Sequence, residues 1–160
     1  MMNPQGTIDT VGSRWCSGPE RAAAAIAQLG PERFVATDYR PGTVRHLVLL
    51  RFCPIALMSE VEAVTVRFRA LADECHRDGR PYITSIETGP QLSTEKAGEG
   101  FDRAFLLTFA SEGDLNYYVG RPAVDTPGLF DPIHDAFKAS LWPVLDTAGV
   151  VVFDFRPDTT

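Results

Sequence analysis

Cysteine is scarce in this chain of 160 residues: Cys16, Cys53 and Cys75 form an odd set with no CxxC spacing. That argues against a disulfide framework and against a thiolate zinc site, and it fits a reducing cytoplasm. Positive charge is also short. With 15 Lys and Arg against 21 Asp and Glu, the net charge is −6, so nothing draws the chain electrostatically to nucleic acid or to an anionic membrane. Long apolar runs are missing as well. The small cluster from Ala22 to Ala27 has neither the basic leader nor the continuous apolar core of a signal peptide, and no segment approaches the ~20 residues needed to span a bilayer. Gly98-Glu99-Gly100 lacks the strand, glycine continuation and helix that make a phosphate cradle. No serine-histidine-acid elbow and no tight carboxylate-histidine grouping stands out, so neither nucleophilic hydrolysis nor a dedicated metal site is called for, and no cofactor is expected.

What is present is one domain's worth of core, since 44% of the residues are hydrophobic and the length suits a single compact unit. Residues 1–42 differ from the rest and read as an extension. Met1 to Ser13 is polar, after which Ser17-Gly-Pro-Glu20 opens an alanine-rich helix ending at Gly30-Pro31. Its Ile26, Leu29, Phe34 and Val35 either dock on the main domain or belong to a loose arm.

From residue 43 to 157 the signals are those of alternating strands and helices. Val44 to Phe52 is a run of strand formers stopped by Pro54. Ser59 and Glu62 have capping-box spacing, and Val61, Val64, Phe68, Leu71 and Cys75 recur at three- and four-residue steps, which predicts a helix ending near Gly79-Arg-Pro81. His76 then falls near that helix's carboxyl end, where a positive charge is favourable. Tyr82 to Thr88 and Phe101 to Ala110 are the next strands, separated by a polar Gly-rich loop. Ser111 caps a short helix to about Val119, and Asp131-Pro132 supplies an N-cap and N1 proline for a helix carrying Ile133, Phe137, Leu141 and Val144, ended early by Pro143. Val150 to Phe155 is the last strand, with residues 158–160 a tail. The expected fold is α+β and ferredoxin-like: a four-stranded, mainly antiparallel sheet with helices on one face. The first strand is apolar on both faces, Val44, Val48, Leu50 and Phe52 on one and Leu47 and Leu49 on the other, as are the third and fourth. Helices cover one face, so the other needs a partner subunit or the amino-terminal arm, and a homodimer formed sheet to sheet is the favoured expectation.

Val44-Arg-His-Leu-Val-Leu-Leu-Arg-Phe52, Ser59-Glu-Val-Glu62, Phe101-Asp-Arg-Ala-Phe-Leu-Leu-Thr-Phe109 and Val151-Val-Phe-Asp-Phe155 resemble the stress-responsive A/B barrel (Dabb) family from about Thr43 to Pro157. The resemblance implies a dimeric α/β barrel; members include stress-induced plant proteins, uncharacterised bacterial proteins and a plant polyketide cyclase. The family's Tyr-x-x-His-Pro-x-His-x-x-Phe motif is split here. Tyr118-Val-Gly-Arg121-Pro122-Ala123 is similar to its first half, with arginine for the first histidine. Asp131-Pro-Ile-His134-Asp-Ala-Phe137 is similar to its second half, and Val124 to Phe130 reads as an insertion bordering the pocket. Tyr118 and His134 thereby match the pair that resembles the cyclase's acid/base couple.

His134 falls at the third position of a helix opened by Asp131, where partial positive charge disfavours the imidazolium and keeps a neutral base available. Tyr118 suits donation of a hydrogen bond to a carbonyl or enolate oxygen. Against these stand plain packing roles, which Tyr117 or Tyr118 fills as an ordinary core aromatic. His46 and Asp154 are polar groups in apolar strands that the topology sets side by side; they either satisfy each other or Asp154 orients a pocket histidine. Tyr117 and Phe137 complete the expected lining. Cys75, on the apolar helix stripe, is core rather than nucleophile.

The leading expectation is a cytoplasmic homodimer with an apolar pocket between sheet and helices, taking a small apolar or aromatic carbonyl compound. As an enzyme it is a cofactor-free, polyketide-cyclase-like lyase or isomerase in which His134 removes a proton beside a carbonyl and Tyr118 holds the oxyanion. The alternatives are a non-catalytic stress-response ligand-binding dimer, with the 124–130 insertion as a lid, and a cofactorless monooxygenase of the dimeric-barrel type. Nothing marks an axial haem ligand.

Overall fold

The computed structural model describes residues 17–158; the expected polar arm before Ser17, Cys16 and the last two residues of the tail lie outside them. Helix α1 (Gly18–Leu29) starts at Ser17-Gly-Pro-Glu20 as expected, and a capping box holds it: Ser17 N–H donates to the Glu20 carboxylate at 2.8 Å, and Glu20 N–H donates to Ser17 Oγ at 3.4 Å. A single turn, α2 (Pro31–Phe34), leads into strand β1 (Pro41–Phe52).

Helix α3 (Met58–Glu74) departs from expectation at both ends. Ser59 lies inside its first turn, and the cap comes from Glu60, whose carboxylate accepts from Leu57 N–H at 2.8 Å. At the other end the helix stops before Cys75, because residues 76–81 form a two-stranded hairpin, β2 (His76–Arg77) and β3 (Arg80–Pro81). Asp78 and Gly79 both take positive φ, 51° and 74°, the pattern of a type I′ turn. His76 still lies just past the end of α3, where its Nδ1 donates to the carbonyl of Glu74, the last helical residue, at 2.9 Å.

Strands β4 (Ile83–Pro90) and β5 (Arg103–Ser111) follow, then α4 (Glu112–Val119), capped by Ser111 Oγ accepting from Asp114 N–H at 3.0 Å. Helix α5 (Pro132–Leu141) begins at Asp131 as expected, and Pro143 leaves Val144 beyond it. Strand β6 (Leu145–Phe155) starts five residues before the expected Val150. Gly149 permits this: a Cβ there meets the Arg51 carbonyl at 2.5 Å, and the β1–β6 register shifts between Leu50 and Phe52.

The four long strands form one antiparallel sheet in the order β4-β5-β1-β6, the split β-α-β arrangement expected. One face of β1 and β5, carrying Val44, Val48, Leu50, Phe105, Leu107 and Phe109, packs under α3, α4 and α5. Phe68 of α3 stacks on Phe105 with ring centroids 3.9 Å apart and meets Phe137 of α5 edge-on at 5.1 Å.

A second, smaller cluster joins Phe34, Val35 and Tyr39 to Val124, with Ile26, Tyr117 and Leu129 against it. Residues 18–40 thus dock beside α4 and the 121–130 connection, on the helix side, and leave the open sheet face bare. Leu29 stays largely exposed. The seam is closely fitted. Glu112 and Gly113 N–H donate to the Arg40 and Tyr39 carbonyls at 3.1 Å each, Asn116 Nδ2 donates to the Phe34 carbonyl at 2.9 Å, and Arg77 donates to the Val35 carbonyl and to Asp114.

Candidate functional site

Helix α4 ends and helix α5 begins side by side over the middle of the sheet, and this placement brings Tyr118 and His134 together despite the insertion between them. Their rings stack at 3.6 Å with 14° between planes. Both are interior, Tyr118 1% and His134 6% exposed. His46, projecting from the inner face of β1, meets the Tyr118 ring edge-on at 5.6 Å, and Phe109 lies 5.2 Å from it.

His134 Nδ1 lies 2.5 Å from the backbone carbonyl of Tyr118. A carbonyl only accepts, so Nδ1 carries the proton and Nε2 keeps its lone pair. Burial is the main force that holds this imidazole down to about 3; the bond to the Tyr118 carbonyl opposes it, and Lys138 and His46 add to it. The ring is a neutral base. Tyr118 is held in its protonated form, chiefly by burial and then by Cys75 and Asp131, and its hydroxyl, buried among the described residues, has no hydrogen-bond partner. An unpartnered buried hydroxyl is uncommon and costs about 1–3 kcal/mol.

His46 and Asp154 do satisfy each other: His46 Nδ1 donates to Asp154 Oδ1 at 2.6 Å across β1 and β6. The bond fixes the imidazole beside Tyr118. Tyr117, by contrast, turns toward the extension, under the Arg77 guanidinium at 4.4 Å and against Tyr82 at 5.5 Å, and belongs to the second cluster. Phe137 is a core ring that also lines a surface groove.

The support beneath the pair includes residues not singled out from sequence. Asp131, 1% exposed, accepts from Ile133 and His134 N–H through Oδ1, at 2.8 and 3.1 Å, and from the Tyr82 hydroxyl through Oδ2 at 2.6 Å. Burial, then this carboxylate, pushes the Tyr82 phenol and the Cys75 thiol far up, so both stay protonated. Lys138 Nζ donates to the Val119 and Arg121 carbonyls, at 2.8 and 3.2 Å, tying α5 to the end of α4. Asp131 was legible only as a cap; the bond to Tyr82 spans 49 residues of sequence.

Two surface grooves lie away from the expected pocket between sheet and helices. A groove of about 370 Å³ runs between α3 and α5, lined by Arg67, Leu71, Glu74, Ile133 and Phe137. Another of about 400 Å³ lies at the end of the open face, lined by Leu49, Gln91, Phe101, Arg103 and Ala104. Neither is lined by Tyr118, His134 or His46, all three of which are buried. Among the described residues no cluster of three or more His, Cys, Asp or Glu is arranged to hold a metal ion, and no helix is long and apolar enough to cross a membrane.

The same fold occurs in solved structures of low identity. A hydroxynitrile lyase from Passiflora edulis is 21% identical, with a TM-score of 0.58 over 75% of this chain and 97% of its own. An Arabidopsis thaliana protein gives 21%, 0.58, 73% and 97% in the same terms. A dimeric ferredoxin-like protein of unknown function from a Jannaschia species gives 23%, 0.54, 72% and 100%. No curated protein matches the chain. The profile of the stress responsive A/B barrel domain matches residues 44–157, well over half of the sequence, and the chain belongs to that family.

Proposed function

We propose that this protein binds a small apolar or aromatic carbonyl compound at the Tyr118–His134 pair and moves a proton on it without a cofactor, as a homodimer. The observation that carries the reading is the Tyr118 hydroxyl, buried without a partner beside a neutral imidazole whose Nδ1 proton is already committed. A ligand oxygen placed there satisfies the phenol, and the Nε2 lone pair takes a proton from the carbon next to the carbonyl. The phenol stabilises the negative charge that develops on that oxygen, and the imidazolium returns its proton to complete a cyclisation, isomerisation or cleavage. The homodimer is supported by the uncovered sheet face, where Leu47, Leu49, Leu106, Val151, Phe153 and Phe155 lie together, and by the dimeric description of the Jannaschia protein. Free thiols at Cys53 and Cys75 suit a reducing compartment.

A second reading rests on the sealing of the pair from both surface grooves: the site holds a ligand and releases it unchanged, with the 121–130 connection moving to admit it. One experiment separates the two. Wild type, His134→Ala and Tyr118→Phe are screened by thermal shift against aromatic and polyketide-like carbonyl compounds, and the compounds that bind are followed by mass spectrometry. Catalysis predicts a product that falls at least a hundredfold in His134→Ala. Binding alone predicts a shift with no product, and equal shifts in all three proteins overturn the site itself.

A further inference from the structure

Tyr118 and His134 are buried between the end of α4 and the start of α5, so a ligand reaches them only if part of their cover moves. Residues 121–130, which join those two helices, are loosely tied. Among the described residues their backbone-to-backbone hydrogen bonds close within the connection or onto Gly120: Val124 N–H donates to the Gly120 carbonyl and Leu129 N–H to the Thr126 carbonyl, at 3.0 Å each. Three side chains reach inward, Val124, Leu129 and Phe130, and the rest are exposed. Gly120 and Gly128, both at positive φ (55° and 88°), offer hinges. Where the connection meets α5, three residues ahead of His134, Asp131 N–H donates to the Tyr117 carbonyl at 3.0 Å.

Two of these three anchors are seated in the extension. Val124, 2% exposed, packs with Phe34, Val35 and Tyr39, and Leu129 lies against the same cluster. The third, Phe130, rests on Gly120, where a Cβ would come within 2.5 Å of its own, and the Arg121 guanidinium stands over its ring at 4.8 Å. The extension side of the contact is well fixed, because Arg77 and Asn116 donate to the Val35 and Phe34 carbonyls. So is the base of the connection, since Lys138 holds the Val119 and Arg121 carbonyls. Residues 122–130 are left free to swing, restrained mainly by an apolar contact with residues 34–39. That restraint comes from outside the family's span, which starts at Val44.

We infer that residues 122–130 form a lid over the Tyr118–His134 site and that the extension is its latch, so that Phe34, Val35 and Tyr39 set how often the site opens. This assigns a regulation to the site proposed above and rests on that reading for what lies beneath the lid. Swinging the lid breaks the bond between Asp131 N–H and the Tyr117 carbonyl, loosens the cap that holds His134, and gives a ligand access to the Tyr118 hydroxyl. Opening also brings Val124, Leu129 and part of the extension's cluster into water, an apolar cost that a bound ligand must offset. Anything that loosens the extension thereby raises the open population without touching the site.

Native-state hydrogen exchange of the full chain, followed by NMR, tests this without a ligand, so its outcome is independent of whether the site takes a carbonyl compound. The amides of Asp131 and His134 report the lid, and that of Leu107 in the central strand β5 reports global unfolding. After correction for intrinsic rates, Asp131 and His134 in wild type are expected to exchange about tenfold faster than Leu107, or more. Phe34→Ala and Val124→Ala should each speed Asp131 and His134 by about another tenfold, and the double variant should add little, because both break one contact. Leu29→Ala, at an exposed position of the extension, should leave them within about twofold. Exchange of Asp131 and His134 at the Leu107 rate in every protein overturns the lid. Acceleration of Leu107 by Phe34→Ala with Asp131 and His134 unmoved overturns the latch. Phe34→Leu takes the place of Phe34→Ala should the latter fail to fold, the same outcomes then being read from changes of about threefold.

Discussion

His134 enters the folded state as a neutral ring, and that has a measurable cost in acid. Its folded value of about 3 lies below the ordinary 6.5, so as pH falls the unfolded chain takes up the proton first. Stability from this residue is complete above about pH 6.5 and declines toward pH 3, with a slope approaching 1.4 kcal/mol per unit. His134→Asn keeps a donor for the Tyr118 carbonyl but does not titrate. Urea melts between pH 7 and 5 should show a steeper loss for wild type than for the variant, whatever their absolute difference; parallel slopes sink the neutral-imidazole reading. Tyr118 and His134 were legible because each sits in a short motif with its own helix boundary. Their stacking was not, since the insertion hides how closely the end of α4 approaches the start of α5.

Among the elements, α4 shows most clearly how a close approach overrides local preference. Alanine is the better helix former by about 1 kcal/mol, so Gly113→Ala would stabilise an isolated α4. In the folded chain a Cβ at Gly113 meets the Ala36 carbonyl oxygen at 1.8 Å, and either the extension or the helix must move. Gly113→Ala is expected to lower stability by about 3 kcal/mol in a denaturant melt; an unchanged midpoint contradicts the seam. Helix starts at Ser17, Ser111 and Asp131 were readable because a cap is a contact within three residues. The end of α3 was misjudged for the complementary reason. Its apolar spacing was followed through Cys75 while Asp78-Gly79, a strong hairpin signal, lay just beyond. The early start of β6 was invisible because it depends on Gly149 passing close to Arg51, a contact between distant segments.

For the whole molecule, the layer order and the bare apolar sheet face followed from strands that are apolar on both faces, and the topology left few alternatives. Where the extension would lie did not follow, since Phe34, Val35 and Tyr39 suit any apolar surface. Arg77 decides it, reaching the Val35 carbonyl and the Asp114 carboxylate together, with both charged side chains largely buried, 15% and 6% exposed. Family likeness begins at Val44, yet cooperative unfolding should not respect that border. A chain trimmed to residues 43–158 strips a capping acceptor from a buried guanidinium and bares Val124 and Tyr117, so its calorimetric transition should fall by more than 10 °C and broaden. Ancestry and thermodynamics are thus expected to draw the edge of this domain in different places: residues ahead of the family's span should, to a calorimeter, belong to the same melting body.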